Sequence, residues 1–186
     1  MNRKLKIFTI SFAALLIGIL AACEKDQSDS DFGNNYVYMP QALISALRFN
    51  VPAGNDVSNY NYTVDDSKVN IRLGVLRSGK SEAESYTVSV KANPDTVVTM
   101  INNKVFDATT TVVMPASMYT LPQTVTVADG QLGTGFLLVL DKAQVKSYAG
   151  KKLALGVVIS NSTKYTINPK INKVVVVVDV NALKLP

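Results

Sequence analysis

The chain has 186 residues, with 19 Lys and Arg against 14 Asp and Glu, one cysteine, no histidine and no tryptophan. Zinc, copper or haem sites of the His/Cys type cannot be built from that set, and neither can Ser-His-Asp or Cys-His catalysis. A single cysteine leaves no disulfide within the chain, so stability rests on a hydrophobic core.

The first predicted element is an export signal. Arg3, Lys4 and Lys6 precede an apolar run from Ile7 to Leu20 that contains Thr9, Ser11 and Gly18. A membrane-spanning helix needs roughly twenty apolar residues, and this run is shorter. A basic front, a short apolar core and small residues at its end read as a cleaved signal peptide, residues 1–22. Leu20-Ala21-Ala22-Cys23 has the lipoprotein pattern. Cleavage is expected between Ala22 and Cys23, with a diacylglycerol on the thiol and acylation of the new amino terminus. Several acyl chains make a stable anchor where one is marginal. An ordinary secretory signal with a free cysteine is the alternative, and an unpaired thiol in an exported protein is a liability. Residues 23–35 then form a lipidated cysteine and a polar, acidic tether, too poor in apolar residues to pack. Glu24, Lys25 and Asp26 resemble the charged tails that send lipoproteins of the Bacteroidota to the outer face of the outer membrane, with a periplasm-facing orientation left open.

Arg3, Lys4 and Lys6 account for three of the five net positive charges, so the mature chain carries +2. Its lysines are dispersed through the C-terminal half without a basic, aromatic-interleaved stripe, which argues against nucleic-acid binding.

Residues 36–186 are predicted to form one β-sandwich domain. Tyr36 to Met39 and Leu47 to Val51 are early strands. Val69, Ile71, Leu73 and Val75 alternate with Asn70, Arg72 and Gly74. The same period of two places Tyr86, Val88 and Val90 on one face, and Val125 and Val127 on another. Phe136 to Leu140, Leu153 to Ile159 and Val174 to Val178 are more continuously apolar and are predicted as central strands of the sandwich, buried more heavily. Thr110 to Met114 is a further strand candidate. Arg77-Ser78-Gly79-Lys80, Asn93-Pro94-Asp95, Asp129-Gly130 (a hairpin or bulge signal) and Asn168-Pro169 mark turns. Short helices are predicted over Thr96 to Asn102, capped by Asp95, and over Asp141 to Ala149, ending at Gly150. Many short strands between regular turns give an all-β sandwich with one or two helical turns.

Val69 to Ser78, Tyr119-Thr120-Leu121-Pro122, Val125 to Gly130, Leu153 to Ser160 and Tyr165 to Pro169 follow one another in an order that resembles the domain of unknown function 1735 family. That family supplies the N-terminal domain of a group of Bacteroidota surface lipoproteins. The resemblance covers about residues 36 to 180. It implies an immunoglobulin-like, adhesin-like sandwich on an outer-membrane lipoprotein, often near polysaccharide-utilisation machinery. Many relatives carry a glycan-binding or glycoside hydrolase module afterwards. This sequence stops after the last strand, at Pro186, so a catalytic or lectin role borrowed from such a module is not expected here.

Acid–base chemistry would have to use carboxylates. Asp65 and Asp66 are adjacent and would face opposite ways on a strand. Glu82 and Glu84 share a face beside a turn. Neither pair suggests two carboxyls across a cleft, as a glycosidase requires. Asp129, Gly130, Gly133 and Gly135 lack phosphate-loop spacing and precede a strand. Asp56, Asp65 and Asp66 lack the calcium-loop pattern. No metal or cofactor is expected. Asn59-Tyr60-Asn61-Tyr62 is the candidate glycan-binding segment. Tyrosines at i and i+2 share a face in an extended chain, aromatic faces stack on sugar rings, and amides bond hydroxyls. The packing alternative sets one of the tyrosines against the core. Asp95-Thr96-Val97 matches a short O-glycosylation motif at Thr96, and a helix start accounts for the same residues.

The sequence therefore predicts a non-enzymatic surface lipoprotein that binds or scaffolds in glycan capture. Its expected partners are the membrane through Cys23, polysaccharide, and surface glycan-uptake proteins. The alternative is a fimbrial or adhesion subunit in which Val174 to Val178 exchanges with a partner strand. A hydrolase ranks third. The oligomeric state is not legible.

Overall fold

Period-two alternation produces two six-stranded sheets whose apolar faces meet. The computed structural model describes residues 35–43, 47–53, 61–79 and 84–186. Ala22, Cys23 and the tether up to residue 34, together with Asn59, Tyr60, Asp56 and Glu82, lie outside them. Sheet 1 holds β1 (Tyr36–Tyr38), β3 (Tyr62–Val64), β4 (Lys68–Arg77), β7 (Tyr119–Thr120), β9 (Gly133–Asp141) and β11 (Thr166–Ile167). Its order is β11-β1-β4-β9-β7, with β3 also on β4. Sheet 2 holds β2 (Arg48–Val51), β5 (Tyr86–Ala92), β6 (Thr111–Val113), β8 (Thr124–Val127), β10 (Lys152–Ser160) and β12 (Lys173–Asp179). Its order is β2-β12-β10-β5-β8, with β6 also on β10. The expected all-β, immunoglobulin-like sandwich is the fold observed.

Between the sheets, Ile71, Leu73, Leu138 and Leu140 of sheet 1 face Val88, Leu155, Val157 and Val176 of sheet 2, all essentially inaccessible to water. Each such side chain contributes about 1.5–3 kcal/mol of burial. β10 and β12 are buried on both faces, as their continuous apolar runs predict. The cover on their outer side is helix α1 (Pro94–Asn102). It sets Val97 against Ala154, Val175 and Val177 in a second, smaller core.

Three expectations are corrected. β9 is apolar throughout its middle yet alternates. Phe136, Leu138 and Leu140 point inward while Leu137 is 45% exposed, so this strand is buried less heavily than β10 and β12, and no described residue covers Leu137. Asp129-Gly130 does not close a hairpin, because β8 pairs with β5 in sheet 2 whereas β9 pairs with β4 and β7 in sheet 1. The turn carries the chain from one sheet to the other. Helix α1 is capped by Asn93, whose side chain accepts from the Thr96 N–H at 3.3 Å, with Pro94 at the first turn. Asp95 sits one residue inside the helix, where it favours the positive helix end. Helix α2 (Lys142–Lys146) keeps its predicted Asp141 cap, which accepts from the Gln144 N–H at 3.0 Å.

One end of the sandwich is closed by a stack. The Arg77 guanidinium lies 4.9 Å from the centre of the Tyr165 ring. Tyr165 meets Tyr86 edge-on at 5.2 Å. The Tyr86 hydroxyl donates to the Leu132 carbonyl at 3.2 Å. Burial pushes the Tyr86 phenol from 10.0 up to about 12, with Arg77 opposing the rise. The folded state thus holds this proton more tightly than the unfolded chain. Stability from this group is complete below pH 10 and is lost as pH rises toward 12, by about 2 kcal/mol. Urea unfolding of wild type at about pH 9 and about pH 11 should show about 1 kcal/mol of that loss, and Tyr86→Phe should largely remove it. Equal alkaline losses in both proteins would contradict the assignment.

Candidate outward-facing cleft on sheet 1

The two sheets differ on their outer faces. Helix α1 covers sheet 2, and the middle of sheet 1 carries no such cover among the described residues. The β4–β9 register sets Asn70 opposite Val139, Arg72 opposite Leu137, and Gly74 opposite Gly135. Thr63 of β3 lies opposite Asn70 on the same outward row. These positions are the outward half of each alternation, since Val69, Ile71, Leu73, Phe136 and Leu138 point to the core.

The row forms a cleft of about 350 Å³ lined by Asn61, Tyr62, Thr63, Asn70, Arg72 and Leu137. Gln41, from the 3-10 turn Pro40–Leu43, closes one side, and its side-chain oxygen accepts from the Gly74 N–H at 3.2 Å. A second concavity of about 360 Å³ lies across Arg72 and Leu137, floored by Gly135. Arg72 and Leu137 thus form a low ridge between two depressions. Gly135 keeps that floor at backbone height, whereas Gly74 is buried beside Pro40 and Gln41. The chemistry offered is a guanidinium, amides, a hydroxyl and an apolar platform.

The predicted segment contributes to this site differently from the expectation. Tyr62 pairs with the inward residue Ile71, is only 6% exposed, and accepts from the Lys184 N–H at 3.2 Å through its hydroxyl. Its ring packs in the core, so the packing alternative holds at this tyrosine. The Asn61 amide accepts from the Ala53 N–H at 3.1 Å and donates to the Asn50 carbonyl at 2.7 Å, tying β3 to the end of β2. Asn59 and Tyr60 fall outside the described residues. Arg72, Asn70 and Leu137 were not singled out as site residues. Their available signal was an arginine on the polar half of an alternating strand and a leucine within a Gly-x-Gly-rich one.

The remaining candidates have structural partners. Asp65 accepts from the Ser67 and Lys68 N–H groups and from the Asn70 amide, which closes the β3–β4 turn and holds its carboxyl below the ordinary range. Glu84 pairs with Lys164. Gly133 and Gly135 are strand residues of β9. Among the described residues no group of three acidic or thiol side chains could hold a metal. Thr96 is half-buried in the first turn of α1 and lines a separate groove of about 500 Å³ with Asn93, Met100 and Lys173. The valine strand β12 is paired along both edges, parallel to β2 and antiparallel to β10. It is this chain's own central strand.

A family model described as a "-like, N-terminal domain" matches residues 30–166. No curated protein matches the sequence. Among solved structures the fold is similar to a Bacteroides ovatus protein described as a "putative carbohydrate binding protein", at 13% identity and a TM-score of 0.52, over 77% of this chain and 36% of that one. A Bacteroides ovatus protein of unknown function is similar at 19% identity and a TM-score of 0.51, over 71% of this chain and 40% of that one. A multidomain protein including DUF1735, also from Bacteroides ovatus, has 12% identity and a TM-score of 0.48, over 77% and 43%. These identities speak to fold alone, and the chain spans 36% to 43% of the length of those three proteins.

Proposed function

The chain belongs to the domain of unknown function 1735 family, and on that footing we propose that it is a non-enzymatic, lipid-anchored binding domain of the outer membrane that captures glycan on the open face of sheet 1. The observation that carries the reading is the outward row itself. A ridge of Arg72 and Leu137 between two depressions provides hydrogen-bond donors beside an apolar platform, on a rigid pair of long strands. Ligand sites on such strands are held more firmly than sites on loops. The carbohydrate-binding description of one structural neighbour agrees with this reading, as does the lipoprotein pattern ending at Cys23. Lipidation at Cys23 would hold the domain at the surface, where polysaccharide and glycan-uptake proteins are its partners. The fimbrial alternative gains nothing from β12, whose two edges are already paired.

A blocking variant tests the site. A side-chain carbon added at Gly135 would meet its nearest neighbours at ordinary contact, 3.5 Å from the Leu73 carbonyl and 3.8 Å from the Arg72 stem. Gly135→Gln therefore fits the strand while filling the floor. The mature chain is expected to be retarded in native gels containing a subset of soluble polysaccharides. Gly135→Gln should weaken that retention about tenfold or more with unfolding unchanged. Retention undiminished in the variant, or absent from wild type across the panel, would overturn the proposal.

A further inference from the structure

The cleft has an unusual balance of donors and acceptors. Among the described residues that line it, Arg72 is the only formally charged one. Arg72 is exposed, and its guanidinium has no hydrogen-bond or ion-pair partner among the described residues. The Asp65 carboxylate, which holds the Asn70 amide, is already committed to the Ser67, Lys68 and Asn70 donors of its own turn. Gln41 has spent its oxygen on the Gly74 N–H, which leaves its amide NH2 as the group still available. Asn61 has spent both ends of its amide. Among the described residues, what remains is a planar cation, an amide donor, a hydroxyl and the Asn70 amide oxygen, with no carboxylate.

A neutral sugar presents hydroxyls that need acceptors as well as donors. A carboxylate is acceptor-only and matches the guanidinium fork with two parallel bonds. Leu137, directly opposite Arg72 in the register, gives the sugar ring an apolar seat beside the charge. The depressions on either side of the ridge fit a polymer crossing the strands. We infer that this cleft selects an acidic glycan, with Arg72 gripping the carboxylate of a uronic acid residue and Leu137 supporting its ring. The inference rests on the glycan reading above and adds the charge of the ligand.

The test uses the mature chain and polymers whose charge can be masked without changing the backbone. Polygalacturonate and alginate are each compared with their methyl-esterified forms, with dextran sulfate beside dextran as the sulfate arm. The free-acid polymers are expected to be held about tenfold more tightly than their esters. Arg72→Gln should erase that difference, Arg72→Lys should restore part of it, and Lys173→Gln on the far sheet should leave it intact. Equal retention of acid and ester forms overturns the inference while leaving the glycan reading standing. A preference for acid that survives Arg72→Gln, with dextran sulfate held as well as uronate, also overturns it, because diffuse charge would then be responsible. No retention of any polymer overturns both.

Discussion

Gly156→Ala is expected to destabilise the fold by about 3 kcal/mol, at the upper end of what overpacking costs. Gly156 lies mid-strand in β10, buried where helix α1 begins. A carbon added there would stand 2.3 Å from the Asn93 carbonyl oxygen, 3.2 Å from its carbon and 3.3 Å from the Thr96 side chain. The obstructing atoms are backbone, and they are pinned, because the Asn93 N–H donates to the Gly156 carbonyl at 2.7 Å. The helix start must move for the methyl to fit. Its displacement would lift Val97 from Ala154, Val175 and Val177 and break the Asn93 cap. For a domain of this size the melting temperature should fall by roughly 6–12 °C. Gly150→Ala is the control. Its backbone has φ of +83° with nothing within 4 Å of the added carbon, so only about 1 kcal/mol of conformational strain is expected. If Gly156→Ala cost no more than Gly150→Ala, the close approach of helix and sheet would be misassigned.

Arg77→Ala is expected to cost about 3 kcal/mol or more. The side chain is 2% exposed, donates to the Asn35 side chain at 2.9 Å and lies over the Tyr165 ring. Truncation removes a long apolar stem and a cation–π contact, and opens a cavity beneath Tyr86 and Tyr165. Arg77→Met keeps most of the volume and should cost less than half as much, because a buried charge is a weak source of net stability when an apolar side chain can fill its place. Urea denaturation resolves the two. Equal losses would assign the effect to charge instead of packing. A loss under about 1 kcal/mol for the alanine variant would remove Arg77 from the account of how that end of the sandwich closes.

The strands that bury one face were legible because alternation reports burial directly. Val69 to Val75 and Tyr86 to Val90 are cases in point. β10 and β12 were legible because a helix covers them and both faces had to be apolar. β9 shows where the rule stops. Leu137 looks like a core residue in the sequence, but among the described residues nothing covers it, and apolarity there makes a platform. Tyr62 shows a second limit. The i and i+2 spacing correctly implies a shared face, but which face points inward depends on pairing with β4. The opposition of Tyr62 to Ile71 is a long-range register that a segment of four residues does not carry. The same applies to the cleft. Arg72 and Leu137 are 65 positions apart in the sequence and become neighbours only through the β4–β9 ladder. The Asn93 cap was missed in favour of Asp95 because both residue types cap helices, and Pro94 at the first turn decides between them.

The central claim is that the open face of sheet 1 is the glycan-binding surface. Titration of the isotopically labelled mature chain with an oligogalacturonate, followed by amide chemical shifts, tests it most directly. The account predicts perturbations clustered at Thr63, Asn70, Arg72, Gly135 and Leu137, with helix α1 and β12 unmoved. Perturbations centred on the groove of Asn93, Met100 and Lys173, or spread without focus over the lysines of the C-terminal half, would contradict it.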